Sequence, residues 1–174
     1  METPGFVKNS GQNMKRKIYP IIILLILGIL LASCSGRSSM TASGWASVST
    51  DGETAYVSFN TQVIAVNLAN GTERWRFPTE PDPKITFYAA PEFTPDGQLV
   101  VGGYDNVLYK INPQNGQGAA FFDGAEGRFI GSPLAASDMI FAPSADHILY
   151  ALDKNGQVIW QHETEEPLWA QPVT

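Results

Sequence analysis

One turn signal recurs three times in this chain and sets a period for most of its length. The glycine of an Asn-Gly pair stands at Gly71, Gly116 and Gly156, spaced 45 and 40 residues apart. Such pairs tolerate positive φ and are the strongest short hairpin signal. Two further turn markers keep the same period, namely Asn60, Asp105 and Asp146 in one set and Asp51, Asp96 and Asp138 in the other. Three markers in phase predict a repeat protein rather than a series of unrelated strands.

Each period holds four short strand signals. In the last copy, Met139–Pro143, Ile148–Leu152 and Val158–Trp160 are short runs rich in strand-forming residues, separated by turns. Ile148–Leu152 does not alternate with polar residues, so we expect both of its faces to be covered. A period of 40 to 45 residues with four strands is the signature of a propeller blade. The sequence therefore predicts an all-β fold, a β-propeller of four-stranded blades.

Three blades and the beginning of a fourth fit into the chain. The predicted repeats span about 45–77, 88–122 and 129–162, and 168–174 is expected to be the first strand of another blade. Pro91, Pro133 and Pro172 carry this alignment. Because closed propellers have at least four blades, we expect the chain to be incomplete as a folding unit. It is either a piece of a longer gene product, or two or more copies close a ring.

The N-terminal residues have the features of an export signal. Lys15-Arg16-Lys17 is followed by the apolar stretch Ile18–Leu31, which suits a signal-peptide core and is short for a spanning helix. With Leu31–Cys34, the segment resembles the bacterial lipoprotein signal and its lipobox. We therefore predict a signal peptide over 1–33, lipid attachment at Cys34 and a flexible tether over 34–44. A transmembrane anchor is the alternative, and either Met1 or Met14 is the start.

The charge of the processed chain excludes one class of partner. From Cys34 onwards there are 16 acidic and 7 basic residues, a net charge of −9. Nucleic-acid binding requires Lys and Arg to neutralise phosphates, so no nucleic-acid partner is predicted. With the lipid anchor, this favours an extracytoplasmic protein held on the cell membrane or on the periplasmic side of an outer membrane.

The repeat itself resembles the PQQ-type propeller repeat. Tyr150–Asp153, Gly156 and Trp160 match its apolar-Tyr-Ala-Leu-Asp strand, Gly turn and Trp. Repeat one keeps Ala65, Asn67, Gly71 and Trp75, whereas repeat two has Ala120 in the Trp place. The resemblance implies one of two activities. One branch of the family contains quinoprotein dehydrogenases that bind PQQ and a metal, and another contains BamB-type lipoproteins that help assemble outer-membrane proteins.

The side chains that invite a chemical role have simpler interpretations. Trp75 and Trp160 recur at one repeat position, so we expect them to pack between blades rather than hold a cofactor. Asp105 and Asp146 fall at hairpin turns, where Asp caps the backbone. His147 and His162 are the only histidines, and neither stands in a zinc pattern. We therefore predict no catalytic, cofactor-binding or metal-binding residue, and no enzyme.

These features favour a lipoprotein whose propeller is a non-catalytic protein-interaction scaffold, as in BamB-like outer-membrane protein assembly. The alternative is a fragment of a PQQ-dependent dehydrogenase. Binding is expected at one rim of the blades, because loops held by a rigid sheet often carry function. The candidate residues are Asp105, Asp146, Glu165 and Glu166. A protein partner is expected, without further identification, and the membrane is contacted through the lipid alone.

Overall fold

The computed structural model describes residues 46–173. The predicted signal peptide (1–33), the lipid-bearing Cys34 and the tether (34–44) lie outside the described residues, as does Trp45. Within the described range, no helix is long and apolar enough to cross a membrane. The fold described below is therefore that of the repeat region.

Residues 46–173 form twelve strands in three antiparallel sheets of four, each with its strands in sequence order. We call these sheets blades one, two and three. Blade one contains β1 (Ser47–Thr50), β2 (Thr54–Phe59), β3 (Gln62–Asn67) and β4 (Glu73–Phe77). Blade two contains β5 (Glu92–Phe93), β6 (Leu99–Gly102), β7 (Leu108–Ile111) and β8 (Gly118–Phe122). Blade three contains β9 (Leu134–Ala136), β10 (Met139–Pro143), β11 (Ile148–Leu152) and β12 (Val158–Glu163). The predicted all-β fold with four-stranded blades is confirmed.

The hydrophobic core lies between the blades, which stack face to face. Each blade has a front face toward the blade before it and a back face toward the blade after it. The back face of blade one presents Tyr56, Val63, Ala65 and Trp75. They pack on the front face of blade two, formed by Leu99, Val101, Tyr109 and Ile111. All eight are at most 9% exposed, so the non-alternating apolar pattern reflects burial on both faces.

The second layer repeats this arrangement between blades two and three. Val100, Leu108 and Phe122 of blade two pack against Ile140, Ala142, Tyr150 and Leu152 of blade three. Aromatic rings from the two blades pack together in this layer, and the Phe122 and Tyr150 ring centroids are 5.1 Å apart. Blade two is thus covered on both faces, whereas blades one and three each have one face that no described blade covers.

The predicted turns adopt the backbone conformations that their residues favour. Gly71, Gly116 and Gly156 have φ of 72°, 71° and 82°, in the left-handed region that glycine tolerates. Gly71 and Gly116 also donate equivalent hydrogen bonds, to the carbonyls of Asn67 and Asn112 respectively. The last strand of each blade contains a β-bulge soon after this turn.

Residues 168–173 follow the path that leads into a first strand but form no strand themselves. The Leu168 N–H donates to the Ser144 carbonyl, as the Phe129 N–H donates to Gly103 one blade earlier. The Gln171 side-chain amide donates to the carbonyl of Pro133, the residue just before β9. A first strand pairs with the second strand of its own blade, and the described residues contain no such partner for this segment.

Candidate functional site

The hairpins inside the blades and the connectors between the blades lie together on one edge. We call this face the hairpin rim, made of the β2–β3, β6–β7 and β10–β11 hairpins with the connectors 78–91, 123–133 and 164–173. Backbone hydrogen bonds join each connector to its neighbouring hairpins. Examples are Phe87 to Asn60, Tyr104 to Thr86, Ala145 to Arg128 and Thr164 to His147. The rim is therefore a hydrogen-bonded surface rather than a set of free loops.

Asp146 fastens the third hairpin to the connector before it. Its Oδ2 accepts hydrogen bonds from the N–H groups of Glu126 and Gly127, at 2.9 and 3.2 Å, and from the Tyr150 hydroxyl at 2.8 Å. Partial burial alone would raise the pKa of the carboxyl, but the hydrogen bonds, beginning with Ser144, hold the pKa below its usual value. Burial and the nearby Asp146 charge raise the pKa of Tyr150. Asp146 is therefore ionised, and its carboxylate caps backbone N–H groups of its own turn and of the preceding connector.

Asp105 occupies the same place in blade two with fewer partners. Its Oδ2 accepts from the Tyr109 hydroxyl, but its Oδ1 is buried and finds no hydrogen-bond partner among the described residues. The preceding connector is folded on itself, because the N–H groups of Lys84 and Ile85 both bond to Asp82. Those two amides are therefore turned away from the hairpin, whereas their counterparts in the next connector reach Asp146.

Glu165 and Glu166 lie on the third connector with exposed side chains. Their backbones hold the rim, since the Glu165 carbonyl is 3.1 Å from His147 Nδ1 and the Glu166 carbonyl accepts from the Thr164 hydroxyl. Their carboxylates are left to face solvent. Both carboxylates are therefore exposed on a backbone that hydrogen bonds hold to the third hairpin.

The rim also contains an aromatic and cationic cluster that the sequence reasoning missed. The Arg128 guanidinium lies 4.2 Å from the centre of the Tyr104 ring, and its Nη1 donates to the Tyr104 hydroxyl. Tyr88 contacts Tyr104 edge-on, with centroids 5.1 Å apart. Beside this cluster is an open groove of about 480 Å³ lined by Tyr104, Asp105, Asn106, Glu126, Gly127, Arg128 and Ala145. Aromatic and arginine side chains of this kind are enriched in protein interfaces.

The two repeat tryptophans have different surroundings. Trp75 is 9% exposed, and its Nε1–H donates to the Pro113 carbonyl of blade two at 2.8 Å. Trp160 is 41% exposed and contacts Phe141 of its own blade, with ring centroids 5.7 Å apart. The difference follows from position, because blade three has no following blade in the described range.

In blade two, Phe121 rather than Ala120 contacts the turn glycine of the next blade, Gly156. A Cβ at Gly156 would lie 2.2 Å from the Phe121 carbonyl oxygen and 3.3 Å from its ring. The bulge of β8 falls at Phe121, five residues after the turn glycine, whereas the bulges of β4 and β12 fall three residues after theirs, at Arg74 and Ile159. An aromatic residue therefore meets the turn glycine of the following blade at both inter-blade layers.

The described residues offer binding surfaces more readily than reactive groups. Among residues 46–173, no three His, Cys, Asp or Glu side chains are close enough to hold a metal ion. Asp105 and Asp146 are engaged with tyrosine hydroxyls and turns. The chemistry available on the hairpin rim is hydrogen bonding, charge and aromatic contact.

Solved structures similar to this chain are propellers. The structure of BamB from Moraxella catarrhalis matches with a TM-score of 0.55 and 20% identity, over 70% of this chain and 36% of that one. The WD40 repeats of RRP9 match with a TM-score of 0.61 and 14% identity, over 72% and 40%. The quinohemoprotein alcohol dehydrogenase ADHIIG from Pseudomonas putida HK5 matches at 0.55 and 14%, over 69% and 26%. At these identities the likeness concerns the fold alone, and the chain spans less than half the length of each.

Sequence comparison is more specific about the family. No curated protein sequence is similar enough to count as a relative. The family model described as outer membrane protein assembly factor BamB matches residues 60–172, which is more than half of the chain. The repeat turns, the tryptophans and the three stacked blades all fall within or beside this match. The chain belongs to the BamB family of PQQ-like repeat propellers.

Proposed function

We propose that this protein is an extracytoplasmic lipoprotein whose blades form a non-catalytic scaffold for binding another protein. Outer-membrane protein assembly is the process in which we expect it to act, because the family model carries that description. The anchor is the lipid on Cys34, inferred from the basic, apolar and lipobox segments ahead of it. The observation that carries the scaffold proposal is the hydrogen-bonded hairpin rim.

A rigid rim lowers the cost of binding. Ordering a flexible loop at an interface consumes part of the interaction free energy. Here the connectors are already bonded to the hairpins, through Asp146 to Glu126 and Gly127 and through the His147 carbonyl to Thr164. Exposed side chains on this rim are therefore held in place before a partner arrives.

The charge on the rim selects a basic partner. Glu126, Glu165 and Glu166 are exposed there, and Arg128 is tied to the Tyr104 ring and hydroxyl. Complementary potential speeds association and disfavours partners of like charge. We expect the partner to present lysine or arginine side chains to the carboxylates, and a planar or carboxylate group to the Tyr104–Arg128 cluster.

Site-specific photo-crosslinking tests this assignment in cells. The full chain, produced in a bacterium with an outer membrane, would carry a photoreactive amino acid at Arg128 or Glu166 on the rim. Matched control sites are Glu53 and Asp138, exposed at turns on the opposite edge. We expect a defined crosslinked protein from the rim positions only. Equal crosslinking from both edges would remove the rim as the binding face.

Charge reversal then tests the chemistry. Glu165→Lys with Glu166→Lys should reduce the crosslinked product at Arg128 at least about tenfold, as expected when charged contacts worth 1.4 kcal/mol or more are lost. The control is Glu53→Lys with Asp138→Lys. Asp51 is not a suitable control, because its carboxylate accepts from Glu53, Thr54 and Tyr56 and shapes its turn. Dye-linked alcohol oxidation on addition of PQQ and calcium would instead favour the dehydrogenase alternative.

A further inference from the structure

The tips of the second and third hairpins hold the connectors that follow them through one shared contact. The tip residues Asn106 and His147 have φ of 71° and 72°, in the left-handed region that asparagine and histidine adopt more often than most residues. The Asn106 side-chain amide donates to the Glu126 carbonyl at 3.0 Å, and His147 Nδ1 lies 3.1 Å from the Glu165 carbonyl oxygen. Glu126 and Glu165 stand at the same place in successive repeats. His147 is therefore the counterpart, in blade three, of an asparagine in blade two.

The contact with Glu165 fixes which nitrogen of the His147 ring carries the proton. A carbonyl oxygen can only accept a hydrogen bond, so Nδ1 is the donor and carries hydrogen. In the neutral ring Nε2 is then a hydrogen-bond acceptor. Nε2 has no hydrogen-bond partner among the described residues and is not one of the buried unpaired atoms, so its lone pair faces solvent at the rim. Blade two has no titratable group at this place.

Carboxylates predominate on the segments around the imidazole. The hairpin itself contributes Asp146, whose hydrogen bonds hold the pKa of its carboxyl below the usual value, so that it stays ionised in mildly acidic solution. The other charged side chains lie on the two adjoining connectors and at the end of β12, and all but one are acidic: Asp123, Glu126, Arg128, Glu163, Glu165 and Glu166. The single cation, Arg128, lies over the Tyr104 ring. A positive charge on His147 would therefore change the balance of this part of the rim.

The exposed carboxylate next to the tip contact is a property of the repeat. Glu126 is exposed although the third hairpin packs on its backbone, where its N–H donates to Asp146. Glu165 takes the same place one repeat later and is exposed as well. The side chain at this position therefore stays in solvent even where a further hairpin covers its backbone.

We propose that His147 receives a lysine ammonium group of the basic partner and releases it when the solution becomes acidic. The inference rests on the proposed function of the hairpin rim. With the ring neutral, the ammonium group donates to Nε2 and is attracted by the carboxylates of Glu165 and Glu166. Histidine changes its charge between about pH 5 and 8, and the protonated ring has no acceptor and repels the ammonium group. Nδ1–H donates to the Glu165 carbonyl in both states, so acidification changes the charge of the rim while the connector stays in place.

Binding of a lysine peptide at two pH values tests the proposal. The probe is acetylated pentalysine that carries a fluorescent dye. Its anisotropy reports the affinity for the full chain, produced in a bacterium with an outer membrane and kept in a non-ionic detergent at low salt. We expect the affinity of the unmodified chain to fall at least about fivefold between about pH 7.5 and about pH 5.5, because a hydrogen bond from a charged donor is lost.

Two histidine variants assign this pH dependence to one residue. His147→Asn installs the side chain of the second hairpin tip and keeps a donor for the Glu165 carbonyl, so its affinity should be the same at both pH values. His162→Asn is the matched control, because it removes the only other histidine of the chain. This control should keep the full pH dependence of the unmodified chain.

The outcomes separate this inference from the proposed function. No binding of the peptide at neutral pH would contradict the basic partner, and the inference with it. Equal binding at both pH values by the unmodified chain would leave the rim as a binding face and overturn the role of His147 alone. The same holds if His147→Asn lowers the affinity equally at both pH values, as a purely structural role requires. Nitrogen-15 NMR of the imidazole is independent of any partner. It should show hydrogen on Nδ1 and none on Nε2 in the neutral ring, and the opposite tautomer would overturn the proposal.

Discussion

The Cα of Gly116 lies directly against the indole of Trp75, so that a Cβ there would stand 2.7 Å from the ring carbon Cδ2. The contact joins the turn of one blade to the last strand of the blade before it. It requires glycine for two separate reasons, the positive φ of 71° and the closeness of the ring. Blade one offers a turn in which only the first reason applies.

Gly116→Ala and Gly71→Ala separate these two costs. Both place alanine in left-handed backbone, which costs about 1–2 kcal/mol. Only Gly116→Ala forces a methyl group into the indole, and overpacking adds about 1–3 kcal/mol. Urea unfolding followed by circular dichroism, at concentrations where the chain is monomeric, should show a larger loss of unfolding free energy for Gly116→Ala. Equal losses would mean that the ring moves aside freely.

Trp75→Ala and Trp160→Ala compare a covered with an uncovered repeat tryptophan. Removing the buried indole leaves a cavity and an unpaired Pro113 carbonyl, and should lower the free energy of unfolding by about 3–5 kcal/mol. Removing the half-exposed indole of Trp160 should cost about 1 kcal/mol or less in the monomer, mainly through the lost Phe141 contact. The same urea titrations check this. A Trp160→Ala loss as large as that of Trp75→Ala would contradict the structure.

Asp146→Asn should loosen the third hairpin in a pH-dependent way. The folded pKa lies below the unfolded one, so the ionised carboxylate stabilises the fold above the usual pKa of 3.8 and loses this effect as pH falls through the folded pKa. At pH 7 the substitution should cost about 1–2 kcal/mol through weakened hydrogen bonds. At about pH 3 and below, the difference from the unmodified chain should shrink.

Asp105→Asn is the control for this effect. Asp105 accepts a hydrogen bond from Tyr109 but none from the connector before it, so its replacement should cost less at pH 7. Thermal unfolding of all three chains across the acidic range is the measurement. A difference between Asp146→Asn and the unmodified chain that stays constant with pH would show that the charge of Asp146 is not what matters.

Cys34→Ala tests the anchor. Without the thiol no thioether to lipid can form, so palmitate labelling should be abolished and the unprocessed precursor should accumulate. Pulse labelling followed by electrophoresis is the measurement, with Ser35→Ala as the neighbouring control. Normal processing of Cys34→Ala would favour a plain signal or transmembrane anchor.

The blades could be predicted because their turns are encoded locally. Asn-Gly pairs and turn aspartates fix where a strand must end, whatever the rest of the chain does. Gly71, Gly116 and Gly156 accordingly sit in the left-handed region at the predicted positions. The propeller stacking could be inferred as well, since an apolar run such as Ile148–Leu152 without alternation predicts cover on both faces.

Other features depend on details that spacing does not reveal. The bulge in β8 shifts the aromatic contact from Ala120 to Phe121, and a bulge adds a residue without a composition signal. Asp105 and Asp146 look alike in sequence but differ in partners, because the two connectors fold differently. The Tyr104–Arg128 pair joins residues from different segments and does not recur in the repeat. The segment 168–173 lacks a neighbouring strand, so its sequence pattern alone does not make it one.

Among the described residues, the backbone hydrogen bonds of the hairpin rim join neighbouring hairpins and connectors. The Phe87 N–H donates to the Asn60 carbonyl, that of Tyr104 to Thr86 and that of Phe129 to Gly103. None of these bonds skips a repeat. Each blade can therefore dock onto the blade before it without waiting for distant sequence. For the same reason a duplicated repeat could be inserted between two blades while every existing contact type is preserved, and propellers of different blade number become accessible through single duplications.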